Sequence, residues 1–190
     1  MQKFTFFVAF IFSSLCFAQD VKSPEEFLGY TVGTQFSRHA DVVDYFEYVA
    51  QNSDWVTYKE YGRTNERRPL TYAIVTSPQN QANIESIRTN QLKNTGIQEG
   101  TANPDKAIVW LSYNVHGNEA SSTEASMLTL YELITEKKDW LENTVVIIDP
   151  CINPDGRDRY ANWYNKVKAT PYDTNPCLLY TSPSPRDRQK

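Results

Sequence analysis

Two side chains in the stretch Ala107 to Met127 have the types and spacing to do chemistry together. His116 and Glu119 stand three apart, with Gly117 and Asn118 between them, at the end of an apolar run. An imidazole nitrogen and a carboxylate oxygen both suit a zinc ion, and a catalytic zinc site keeps three protein ligands plus a water. His116 and Glu119 can supply two of the three. The spacing alone supports a second reading equally well. Asn118 or Glu119 would cap the next helix, and His116 would be a polar strand end. Further on, Asp149 to Gly156 (D-P-C-I-N-P-D-G) follows a second apolar run, and Arg157 and Arg159 come directly after it.

The elements around these residues can be read from periodicity. Ala107 to Val115 is a nearly continuous apolar run, the habit of a strand buried on both faces. Ala120 to Glu136 carries apolar residues at helical spacing, and Thr144 to Ile148 is a second apolar strand. Strand, helix, strand makes a crossover unit of parallel strands. Upstream, residues 19–37 read as an extended approach segment and Arg38 to Gln51 as an amphipathic helix. Trp55 to Tyr61 and Pro69 to Thr76 read as the two strands of a hairpin joined by the polar turn Gly62 to Arg68. Asn80 to Lys93 is expected to be one helix and Asn94 to Lys106 a loop. The expected fold is α/β, a mostly parallel mixed sheet covered by helices and opened by an antiparallel hairpin. In such sheets ligands bind beyond the carboxyl ends of the strands. His116–Glu119 and Asp149–Gly156 would then face one cleft.

The two ends carry their own signals. Residues 1–18 hold Lys3, the apolar run Phe4 to Phe12, and Cys16 and Ala18 at the positions of a secretory cleavage site. We expect cleavage after Ala18 and export to a periplasmic or extracellular location, with no membrane anchor left behind. Cys177 to Asp187 reads C-L-L-Y-T-S-P-S-P-R-D, which is the translation of a common transposase-type sequencing adapter. Residues 177–190 are therefore expected to be non-native and the natural frame to run on past Pro176. The formal charge is −4. Setting both ends aside makes it more negative, since they hold Lys3, Arg186, Arg188 and Lys190 against Asp187 alone. An acidic domain argues against nucleic acid as a partner. Cys151 is the one cysteine left between the ends, so no disulfide framework is expected there, and it reads as a buried small hydrophobe.

Three markers in order resemble one family. Y-G-R-T-N-E-R-R-P-L-T-Y-A-I-V-T-S-P (Tyr61 to Pro78), H-G-N-E (His116 to Glu119) and N-P-D-G (Asn153 to Gly156) look like the zinc carboxypeptidases of the carboxypeptidase A type. Residues 38–176 would be the N-terminal part of such a catalytic domain. The resemblance implies a metallocarboxypeptidase that hydrolyses peptide or protein C-termini, with His116 and Glu119 as zinc ligands. It implies a pocket-shaping loop at Asn153, Asp155 and Gly156, continuing into Arg157. An arginine after that loop polarises the scissile carbonyl in the family, and Arg159 is the residue chosen for it. The alternative for Arg159 is a surface ion pair with Asp155 or Asp158. The family's third ligand, a later histidine, and its glutamate base have no counterpart here. The chain has two histidines, and His39 opens an early helix, in a solvent-facing or helix-start role. The piece is therefore expected to be inactive alone. Two other functions fit the markers: a zinc deacylase of N-acyl amino acids, and a carboxypeptidase-like module that binds without catalysis.

Overall fold

The structure is a computed structural model that describes residues 21–167. The expected signal segment and the suspected adapter lie outside the described residues.

A four-stranded sheet organises the fold, in the order β1-β2-β4-β3. Strands β1 (Val56–Arg63) and β2 (Pro69–Val75) form the expected antiparallel hairpin. Strand β4 (Thr144–Asp149) pairs antiparallel with β2, and β3 (Ala107–Ser112) pairs parallel with β4. The sheet is thus mixed, as expected, and its parallel part among the described residues is the crossover β3–α5–β4, where α5 is Ser121–Thr135. The parallel register sets Ser112 beside Asp149, so both strands finish at one edge.

Helix α2 (His39–Asn52) presents Val42, Tyr45, Phe46 and Val49 along one stripe, all fully buried. They meet Met127, Leu130, Leu133 and Ile134 of α5 over Val56, Ala73, Val75, Val146 and Ile148 of the sheet. Side chains alternate across a strand, so the neighbours of these sheet residues point the other way. There Ile108 and Trp110 are exposed, Trp110 to 68%. This corrects the reading of β3 as buried on both faces. Among the described residues the strand stands at the end of the sheet order, and helices α2 and α5 cover one side of it. Apolar composition reports that a face is fit for burial, not which element covers it.

Two further differences come from capping chemistry. The segment 19–37 contains a short helix, α1 (Pro24–Leu28), where an extended path was expected. Ser23 and Glu26 form a capping box, Pro24 takes the first turn, and Gly29 ends it at φ 77°. The expected helix from Asn80 to Lys93 is two, α3 (Pro78–Ala82) and α4 (Ile84–Asn94), broken at Asn83. The side chain of Asn80 explains the break's neighbourhood: its amide donates to the Leu141 and Glu142 carbonyls, 3.1 Å each, at the end of α6 (Lys138–Leu141). The last helix, α7 (Pro154–Val167), begins within the N-P-D-G motif.

Candidate metal centre

Strand β3 stops at Ser112, and the chain turns through Tyr113 to Val115 before His116. The Glu119 N–H donates to the His116 carbonyl at 3.0 Å, which closes a tight turn over the four residues. His116 Nδ1 lies 3.2 Å from Glu119 Oε1. The side chains are 32% and 62% exposed, so both are reached by solvent. The helix-capping alternative does not describe this turn. The N-cap position of α5 is Ala120, without a side-chain cap, and the Glu119 carboxylate faces the imidazole.

Gly117 sits at the point where the two predicted loops meet. A Cβ built on it would fall 2.6 Å from the Gly156 Cα, and it would also strike the Gly156 carbonyl. Backbone strain is not what calls for a glycine here, because the Gly117 φ lies outside the left-handed region. It is a glycine because a backbone passes through the space a side chain would take. Gly156 is constrained from its other side, where a Cβ would lie 2.7 Å from Asn153 Nδ2.

The N-P-D-G stretch is a helix start rather than a loop. Asn153 Oδ1 accepts the Gly156 N–H at 3.0 Å, Pro154 occupies the first helical position, and Asp155 follows in the first turn. This is the favoured order of a capped N-terminus, with an acid near the positive end of the helix dipole. The other edge of the Asn153 amide donates to the Val115 carbonyl at 3.3 Å. One side chain therefore caps α7 and holds the approach to His116.

Asp155 points away from the pair, toward the hairpin turn. It accepts from Thr64 Oγ1 at 2.7 Å and from Arg68 Nη1 at 2.8 Å. Arg68 also donates to Asp158 at 2.7 Å. Partial burial pulls the Asp155 carboxyl upward, but the Thr64 and Arg68 bonds outweigh it and hold the group below its ordinary value.

Arg157 and Arg159 part company. Arg157 is fully buried, donating to both Glu124 oxygens at 2.7 Å and to the Ser37 and Ala120 carbonyls. It ties α7 to α5 and to the segment before α2. Arg159 is 44% exposed and pairs with Glu66 of the hairpin turn. A surface ion pair is thus present, but with Glu66, because Arg68 takes Asp155 and Asp158.

The structure also brings forward residues the sequence did not single out. Asp149, at the end of β4, accepts the Tyr61 hydroxyl at 2.7 Å and the Cys151 N–H at 3.2 Å. Burial pushes its carboxyl above the usual value against the pull of these bonds. Tyr61 lies where the β1–β2 register slips, between Glu60 and Gly62. Asp149, Tyr61, Trp110 and Ile152 line a cleft of about 560 Å³ on the open face of the sheet. Neither His116 nor Glu119 lines it. His39 begins α2, as expected, but is buried rather than solvent-facing. Its Nε2 donates to the Pro69 carbonyl at 2.8 Å, and burial lowers its pKa. Cys151 is buried, as expected of a small hydrophobe.

The donor set at the turn fits zinc in type, one imidazole and one carboxylate converging from a rigid turn. Among the described residues no third histidine, cysteine or acid joins them to complete a metal-holding group.

The comparisons agree with this architecture. The chain belongs to the zinc carboxypeptidase family, whose sequence model matches residues 42–177. Among solved structures it is similar to the carboxypeptidase A from Helicoverpa armigera, with 19% identity and a TM-score of 0.51, over 73% of this chain and 34% of that one. At that identity the likeness is one of fold. Bovine thrombin-activatable fibrinolysis inhibitor, in complex with tick carboxypeptidase inhibitor, matches at 17% identity and TM-score 0.47, over 65% of this chain and 33% of that one. A metallo-carboxypeptidase from Burkholderia cenocepacia matches at 20% and 0.41, over 60% and 27%. The chain spans a third or so of these proteins' lengths. No curated protein sequence matches it.

Three outcomes follow from the geometry. Gly117→Ala is expected to destabilise the fold by about 1–3 kcal/mol in urea unfolding, the usual cost of overpacking, because backbone cannot move aside cheaply. Arg157→Met leaves the Glu124 carboxylate buried without its partner, and unfolding should show a loss of about 3–5 kcal/mol. The Asp155 contribution is fully present above its ordinary pKa of 3.8 and is lost as pH falls through the lower folded value. The urea midpoint of Asp155→Asn should accordingly drop less on acidification from pH 5 than that of the wild type.

Proposed function

We propose that this chain supplies the His116–Glu119 half of the zinc site of a metallocarboxypeptidase, one that removes C-terminal residues from peptides. The observation that carries the reading is the 3.2 Å approach of His116 Nδ1 to Glu119 Oε1 on a turn pinned by the Gly117–Gly156 contact. Family membership supports zinc as the ion and peptides as the substrate class. When bound, zinc acidifies a coordinated water and polarises a carbonyl oxygen. His116 and Glu119 are the residues that would hold it. Their backbone is fixed by the strand end and by the apposed helix start, so little order remains to be imposed when the ion arrives.

The other residues take supporting parts. Asn153 and Gly156 set the floor of the turn, and Asp155 anchors α7 to the hairpin. Arg157 is committed to Glu124; Arg159, the partly exposed arginine of the two, is the candidate for a substrate oxygen anion and would have to exchange its Glu66 partner for it. In this reading the 190-residue chain is inactive alone, since two ligands hold zinc weakly and no described side chain completes the set. The signal-like segment 1–18 supports export to the periplasm or the extracellular medium.

Equilibrium dialysis of the folded chain against zinc tests the assignment. The wild type should take up one zinc ion weakly, and His116→Ala and Glu119→Ala should each abolish the uptake. Uptake by His116→Ala equal to the wild type would overturn the ligand assignment.

A further inference from the structure

Asn114 lies two residues before His116, fully enclosed at 2% exposure and with φ at 53°. Asparagine is one of the few residues with a side chain that enters this left-handed region readily. Its side-chain Nδ2 donates to the His116 carbonyl at 2.6 Å and to the Glu119 carbonyl at 3.3 Å. Both ends of the four-residue turn therefore hang on one NH2 group. The amide orientation is fixed by chemistry, because two carbonyls can only accept. Its Oδ1 in turn accepts the Cys151 S–H at 3.3 Å. Burial pushes the Cys151 thiol up to about 12, so it stays protonated and able to donate. The Asn114 N–H donates to Ser122 Oγ at 3.0 Å, and that hydroxyl donates to the Glu119 carbonyl at 2.8 Å.

We propose that Asn114 is a positioning residue for metal binding, a bracket that holds the main chain of His116 and Glu119 so that their side chains converge before an ion is present. The proposal rests on the zinc-site reading above. Fixing the two carbonyls fixes the direction in which each Cα–Cβ bond leaves the chain. The imidazole and carboxylate then lose little further freedom on binding, and affinity gains by that amount. A residue that merely closed a turn would stabilise the fold and leave the affinity of the folded protein unchanged. The bracket changes the affinity itself.

The chain's two histidines make the distinction measurable. In zinc titrations of 15N-labelled protein, imidazole spectra report His116 at the site and His39 as an internal gauge of folding, since His39 is buried against Pro69. In the wild type His116 signals should shift saturably with zinc while His39 signals stay in place. Asn114→Gly keeps the left-handed backbone accessible and removes the amide. It should weaken the apparent zinc affinity about tenfold, the low end for groups that orient ligands, with His39 signals unchanged. Ser122→Ala, a milder change at the helix start, should weaken it in the same direction, about threefold. Wild-type affinity in a folded Asn114→Gly overturns the proposal alone. If loss of the His39 signals shows that variant unfolded, unchanged affinity in Ser122→Ala overturns it instead. A wild type whose His116 does not respond to zinc overturns the metal reading and the proposal with it.

Discussion

The close passage of two backbones, Gly117 over Gly156, is the constraint on which the site depends. Parallel pairing of β3 and β4 ends both strands at one edge, with Ser112 level with Asp149. The chains leaving that edge are then close enough to collide, and two glycines turn the collision into contact. Asn153 fastens the contact from one side by capping α7 and bonding the Val115 carbonyl. The His116–Glu119 pair is thus located by main chain against main chain. Side-chain packing, which tolerates substitution of one apolar residue by another, has little part in placing it.

Behind that contact α7 must itself be held, and charge does this work twice. Arg157 enters the interior and meets Glu124, while Arg68 reaches Asp155 and Asp158 from the hairpin turn. Residues two apart on a helix point to nearly opposite sides. Arg157 and Arg159 therefore cannot share a role: if one is buried against α5, the other must face outward toward Glu66. The buried pair does not have to be net stabilising to matter. A guanidinium with fixed donors accepts only one docking of α7, which is where the register of Gly156 over Gly117 is set.

Much of this was legible in the chain, and the rest was hidden for physical reasons. The hairpin, the β3–α5–β4 crossover and the shared edge follow from period and apolarity, which are local signals. The pairing of His116 with Glu119 was visible as spacing, and the hairpin stretch Tyr61 to Pro78, H-G-N-E and N-P-D-G in that order pointed to the family. The capped start of α7 was also written there, as Asn, Pro, Asp in cap order, but the proline and glycine read more readily as a loop. Arg157 could not be sorted from Arg159, because the partner that buries it, Glu124, is 33 residues away in the chain. Asn114 was missed because what sets it apart is a backbone angle and four hydrogen bonds, none of which has a sequence period.

The sheet's two faces put the site's economy in view. One face is closed by α2 and α5 around fully buried side chains such as Phe46, Met127 and Ile148. The other carries Trp110, Ile108 and Tyr61 in the open, with the Asp149 carboxyl at its rim. Among the described residues, β3 is held by the parallel ladder to β4 and by the packing of Leu111 and Tyr113 on the core. The turn bearing His116 and Glu119 is carried by β3, and it is steadied from the β4 side, through Gly156, Asn153 and Cys151. That support reaches the turn through main-chain and side-chain contacts on the β4 side, and the His116–Glu119 pair keeps its position through them.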